Sequence, residues 1–182
     1  MVNTFKPKLT LLQEKILRYL FINTGKSFTA RALSIALQVS PPAISKALPG
    51  LEKENFIQVS KDKESKRLSI ELNRENILLM GMKRADNLKQ IYESGLYEFL
   101  FNEFPGCTII VFGSYSRGDD IFNSDIDLAV IDSSEKKVNL EKFEKILGKE
   151  IRINFYLSFK EIHKELRTNI YNGIILVGGV EL

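Results

Sequence analysis

Several residue types are scarce in this chain of 182 residues, and each scarcity narrows what the protein is. Cysteine occurs once, at Cys107, so no internal disulfide forms. That thiol reads as a small buried apolar residue. Histidine also occurs once, at His163, and with no second His or Cys the ligands for a transition-metal centre are missing. Long apolar runs are absent as well; none approaches the roughly 18 residues of a membrane span. The first ten residues, MVNTFKPKLT, lack the apolar core of a secretion signal. Together these absences point to a cytoplasmic protein with no membrane partner.

What remains is ordinary in bulk and uneven in distribution. Hydrophobic residues make up 44% and charged residues 27%, as in globular proteins, and the length suits one large or two small domains. The net charge of +3 hides an asymmetry. Residues 1–72 hold 12 Lys and Arg against 6 Asp and Glu, whereas residues 73–182 hold 14 against 17. A basic half joined to an acidic half suggests two domains with different partners, the basic one facing nucleic acid.

The basic half reads as three helices and a hairpin. Thr10 and Gln13 have capping-box spacing ahead of a helix to Phe21, with Leu12, Ile16, Tyr19 and Leu20 on one face. Thr29 caps a second helix with Ala30, Leu33, Ala36 and Leu37 inward. After a turn at Val39–Ser40, Pro41 and Pro42 suit the start of a third, in which Ile44, Leu48 and Leu51 repeat at helical spacing. Pro49 removes a donor and crowds the carbonyl of Ser45, so a kink or break is expected there. Two alternating runs follow, FIQVS and LSIEL, with the charged segment KDKESKR between them.

Over roughly residues 8–72 this order of elements resembles the winged helix-turn-helix domains of prokaryotic transcription regulators. The resemblance implies duplex DNA as a partner, read by the third helix and touched by the wing. By position the contacts fall to Ser40, Ser45 and Lys46 on the helix and to Lys61, Lys63, Lys66 and Arg67 in the wing.

A proline-free stretch from Arg74 to about Glu103 reads as a long linking helix, with Gly81 and Gly95 as the places where it bends or splits. Its opening, ILLMGM, is apolar on several sides and serves either packing between domains or a homodimer contact. The expected division is therefore 1–72, a linker helix over 73–104, and a second domain over 105–182.

In that second domain acids interrupt what otherwise looks like a buried strand. CTIIVFG ends in Gly113, and GSYSRGDDIFNSDIDLAV follows. Alternation puts Asp125, Asp127 and Ala129 on one face of a second strand, and Ile126, Leu128 and Val130 on the other. Two carboxylates about 7 Å apart along one strand face can share hard divalent cations such as Mg²⁺. Asp119 and Asp120 read as solvated loop residues.

Gly113–Ser114 followed by Asp125–Ile126–Asp127 resembles the signature of the DNA polymerase β nucleotidyltransferase superfamily, and GSYSRG with SDIDLAV is similar to its minimal members. The match covers roughly residues 90–180, and Arg117, Gly118 and Ser124 agree with it. The resemblance implies an α/β fold of the α+β kind and an NTP held with Mg²⁺ or Mn²⁺ on Asp125 and Asp127. It gives nucleotide contacts to Gly113, Ser114, Arg117 and Ser124. It also implies a third carboxylate on a later strand, here EIRINFYL, where the mid-strand position falls on Asn154. An amide there binds a cation without charge and is no base, which weakens the acceptor side of the site.

The C-terminal residues Phe159, Ile162, Leu166 and Ile170 repeat as an amphipathic helix beside His163, and IILV adds a short edge strand. Three functions stay open on the sequence. The first, favoured by the paired acids and the Gly–Ser turn, is an Mg²⁺-dependent nucleotidyltransferase with a DNA-binding winged-helix domain and an unknown acceptor. The second is a transcription regulator whose transferase-like domain only binds or senses nucleotide. The third is an antitoxin-like protein paired with a small helical toxin.

Overall fold

Helix α1 (Leu11–Ile22) begins where the sequence puts its cap. The Thr10 side chain accepts from the Gln13 amide, and the Gln13 side chain accepts from the Thr10 amide 2.9 Å away. This computed structural model describes residues 9–61 and 68–180. Its chain divides into two units, Met1–Leu79 and Met80–Leu182.

The first unit continues with α2 (Ala30–Ala36), capped by Thr29, and α3 (Pro41–Lys53), capped by Ser40. Strands β1 (Ile57–Lys61) and β2 (Leu68–Leu72) pair antiparallel with Val59 opposite Ile70, and Phe28 adds a bridge to Ile70. Ile16, Leu20, Leu33, Ile44, Leu51, Ile57 and Ile70 are buried, so the predicted inner faces do form the core. Burying each such side chain contributes about 1.5–3 kcal/mol. The break expected at Pro49 does not occur; α3 runs through it to Lys53. Leu48 and Leu51 are buried on either side of the proline, and the Gln13 amide donates to the Ala47 carbonyl at 3.1 Å. Tertiary packing thus holds the turn that the proline alone would loosen.

The stretch read as one long helix is two, α4 (Ile77–Glu93) and α5 (Leu96–Glu103). Gly95 divides them with a φ of 79°, while Gly81 lies inside α4 without breaking it.

The second unit is built on a four-stranded sheet of order β5-β4-β3-β6. Its strands are β3 (Thr108–Phe112), β4 (Ile126–Ile131), β5 (Ile151–Tyr156) and β6 (Ile174–Val177). β3 pairs antiparallel with β4 and β6, and β4 pairs parallel with β5 through a crossover containing α7 (Glu141–Leu147). The short α6 (Gly113–Arg117) follows β3, and α8 (Lys164–Tyr171) precedes β6. Both faces of the sheet are covered. Ile126, Leu128 and Val130 pack with Ile109, Val111, Leu96, Leu100 and Phe143 on one side. Ala129 and Ile131 pack with Ile110, Phe112, Ile162 and Ile170 on the other. Asp127 belongs to that second face, at the end where the apolar cover stops. Among the described residues no helix is long and apolar enough to cross a membrane.

Candidate functional site

The end of β3 and the start of β4 bring the first group of predicted residues together. Phe112 lies opposite Asp127, so the chain leaving β3 enters α6 beside that aspartate. Gly113 has a φ of 72°, and a Cβ on it would lie 2.6 Å from Oδ2 of Asp127. The carboxylate therefore rests against bare backbone, an approach that a side chain at 113 would block. Ser114 is half-buried beside it, with its carbonyl accepting from the amides of Gly118 and Asp119. Arg117 points into solvent and pairs with Asp119 at 3.2 Å. The Ser124 hydroxyl accepts from the Ile121 amide at 2.9 Å, which closes a turn just before Asp125.

The sequence-based placement of the third position is corrected by the strand register. Parallel pairing sets Ile126 beside Ile151, Asp127 beside Arg152 and Ala129 beside Asn154. The residue facing the aspartate pair is therefore Arg152. Asn154 shares the face but sits two residues further in, and its Nδ2 donates to the Leu128 carbonyl at 3.3 Å. Position along β5 alone does not reveal this register, which is fixed by the buried isoleucines 126 and 151.

Arg152 engages the acids directly. Its Nη1 lies 2.9 Å from Oδ2 of Asp125, and its Nε 3.3 Å from Oε1 of Glu150. The Glu150 hydrogen bond first, and then the charge of Asp125, hold the guanidinium protonated beyond its ordinary value. Asp127 is pushed the other way from a relaxed carboxylate. Burial foremost, and then the charge of Asp125, raise its pKa, with Arg152 opposing. Among the described residues no group of three His, Cys, Asp or Glu side chains is arranged to hold a metal ion.

A second cluster escaped the sequence reading. Asp120, expected to be a solvated loop acid, is 1% exposed. Lys83 of α4 is fully buried; its ammonium donates to the Asp120 carboxylate, to the Asp120 carbonyl at 2.8 Å and to the Gly118 carbonyl at 3.2 Å. Asn87, one turn on, donates to the same carboxylate at 2.7 Å and to the Tyr115 carbonyl at 2.9 Å. From the other side Lys149 forms an ion pair with Asp120 at 3.1 Å, too oblique for a hydrogen bond, and donates to the Ile121 carbonyl at 2.7 Å. Two lysines and an asparagine thus tie down the loop that delivers Ser124 and Asp125. Desolvation lowers the Lys83 pKa, against the pull of Asp120. No periodicity marks these residues, because their partners lie about 30 or more positions away.

In the first unit Ser40, Ser45 and Lys46 lie exposed at the start of α3. The Ser40 hydroxyl accepts from the Ala43 amide as helix cap, and the Ser45 hydroxyl donates to the Pro41 carbonyl at 3.2 Å. Lys46 is exposed on the outer side of the helix whose inner side carries Ile44 and Leu48. Lys61 ends β1, also exposed. Lys63, Lys66 and Arg67 lie outside the described residues.

Comparisons with known proteins divide at the same place. Residues 98–179 match the family model described as polymerase beta, nucleotidyltransferase, and residues 9–69 match the MarR family model. No curated protein matches the chain. Among solved structures, a MepR mutant from multidrug-resistant S. aureus is 29% identical with a TM-score of 0.35, over 39% of this chain and 52% of that one. The chain thus spans about half the length of that relative. MepR in complex with DNA, from S. aureus, is 25% identical with a TM-score of 0.38, over 52% of this chain and 81% of that one. The adhesin competence repressor AdcR from Streptococcus pyogenes is 26% identical with a TM-score of 0.43, over 57% of this chain and 72% of that one.

Proposed function

For a chain that joins a MarR-type winged-helix domain to a polymerase β-type nucleotidyltransferase domain, we propose a DNA-binding regulator whose second domain binds a nucleoside triphosphate without transferring it. The observation that carries this reading is the guanidinium of Arg152, in register with Asp127 and 2.9 Å from the Asp125 carboxylate. Nucleotidyl transfer with two divalent cations draws on carboxylates that hold an ion on the attacking oxygen and another on the leaving one. A cation at the third position repels the ion that a third acid would attract. The donor set fits one divalent ion on Asp125 and Asp127, and it does not fit two.

Binding keeps its support. The glycine lets the Asp127 carboxylate rest against the turn that carries Ser114, whose hydroxyl and amide are donors for a phosphate there. Asp125, Asp127 and Glu150 face the single guanidinium of Arg152, so the cluster carries a net negative charge. A divalent cation such as Mg²⁺ bound there supplies the positive charge that triphosphate oxygens need. Asp125 and Asp127 would hold it, and the buried Asp120 cluster would keep their loop in place.

DNA as the partner of the first domain rests on its MarR-type match, its excess of basic residues and the exposed Lys46 on α3. Lysines neutralise phosphates and make affinity fall with salt. The regulator reading is tested by incubating the protein with each labelled NTP and Mg²⁺ or Mn²⁺, with and without duplex DNA. Nucleotide retained on the protein with no labelled product is the expected result. Rapid labelling of any acceptor by the wild type would replace the regulator with a transferase, in keeping with the two retained aspartates.

A further inference from the structure

We propose that Arg152 is a displaceable counter-ion that makes divalent-cation binding at Asp125 and Asp127 conditional on nucleotide. The proposal rests on the nucleotide-binding reading and gives that site an order of assembly. Oδ2 of Asp125 is the atom that the Arg152 guanidinium touches, at 2.9 Å. A cation arriving alone must take that oxygen from Arg152, and it must do so against like charge. The arginine is not locked. Its side chain is 58% exposed, and its second partner Glu150 is 61% exposed. Ion pairs this exposed are weak, so the contact resists exchange without preventing it.

A triphosphate changes the exchange. Its oxygens offer the freed guanidinium an anionic partner with bidentate geometry, which Arg meets better than any other side chain. Metal and nucleotide then bind with positive coupling, and each raises the other's affinity by the same factor. Without nucleotide, Arg152 offsets part of the charge of the two aspartates and competes with free cations for Asp125.

The test is a Mn²⁺ titration of the full chain, read by the loss of the free-ion paramagnetic resonance signal, with and without a non-hydrolysable NTP analogue. Wild type should bind Mn²⁺ weakly alone and more tightly with the analogue. Arg152→Gln should bind Mn²⁺ alone about two- to fivefold more tightly, the factor expected from removing an exposed charge pair. It should also lose most of the gain that the analogue brings. Arg152→Lys keeps the charge and should bind Mn²⁺ alone as the wild type does. Equal Mn²⁺ affinity in wild type and Arg152→Gln overturns the counter-ion, even where both proteins bind the analogue normally. Analogue binding to neither protein overturns the nucleotide reading itself, and the coupling with it.

Discussion

Asp120 and Lys149 stand 3.1 Å apart with 1% and 3% of their side chains exposed, and Lys83 reaches the same carboxylate from the opposite side. Removing the acid leaves two buried ammonium groups without the carboxylate they share. Asp120→Asn should therefore destabilise the protein by about 3–5 kcal/mol, read by chemical denaturation at neutral pH. Lys83 has a pKa below its ordinary value, so its charged form is disfavoured in the folded state and stability falls as pH drops through that pKa. The deficit of Asp120→Asn should accordingly shrink as pH rises and Lys83, its pKa already lowered by burial, sheds its proton. Lys83→Met should cost less than Asp120→Asn, because Lys149 and Asn87 still satisfy the carboxylate.

Asp127 carries the opposite kind of strain. Its folded pKa is raised, so its contribution to stability is fully present below the unfolded pKa and is lost as pH rises through the folded one. At neutral pH the wild type bears that loss, and Asp127→Asn does not. The variant should melt higher at pH 7 by up to about 1 kcal/mol equivalent, the group being half-buried and solvent-screened. The difference should vanish near pH 3. A variant that melts lower than wild type at pH 7 would contradict this account.

Lys46 and Lys61 are exposed, and the DNA-binding reading assigns them to phosphate. Changing either to Ala should weaken duplex DNA binding across all sequences. Each true phosphate contact removed should flatten the plot of log affinity against log salt by about 0.9. Fluorescence anisotropy between 50 and 200 mM salt measures both effects. An unchanged slope in the double variant would take α3 and the end of β1 out of the interface.

The strand register separates two superficially equal substitutions. Asn154→Asp adds its carboxylate beside Ala129, a full side-chain repeat from Asp127, and should leave divalent-cation affinity within about twofold of wild type. Arg152→Asp puts a third acid beside Asp127 and should tighten the ion by far more. Calorimetry with Mn²⁺ distinguishes the two, and a larger gain from Asn154→Asp would show that the side chains reach differently than the backbone pairing implies.

Much of this was legible in the sequence because local rules wrote it. Thr10 with Gln13, Thr29 and Ser40 mark helix starts through hydrogen bonds spanning three residues, and each lies where spacing puts it. The alternation of Asp125, Asp127 and Ala129 against Ile126, Leu128 and Val130 is a period of two, which a strand displays openly. What sequence could not supply was relation at a distance. Arg152 and Asn154 lie on one face of one strand, and only pairing with β4 decides which meets the aspartates. Asp120 looked like a loop acid because polarity predicts solvent. Its burial depends on lysines 37 residues before and 29 after it. Pro49 failed in the other direction, since a local rule for breaking helices yielded to the core around Leu48 and Leu51.

The last strand of the sheet has a consequence for the order in which the chain is made. β3 is buried along its whole length, TIIVF, and one of its edges is completed by β6, more than 60 residues later. At synthesis rates of roughly 5–20 residues per second, about 3–12 s pass between the emergence of β3 and that of its edge partner. Through that interval the nascent sheet presents an apolar, hydrogen-bond-hungry margin to whatever is nearby, and a ribosome stalled before Ile174 would leave it permanently open.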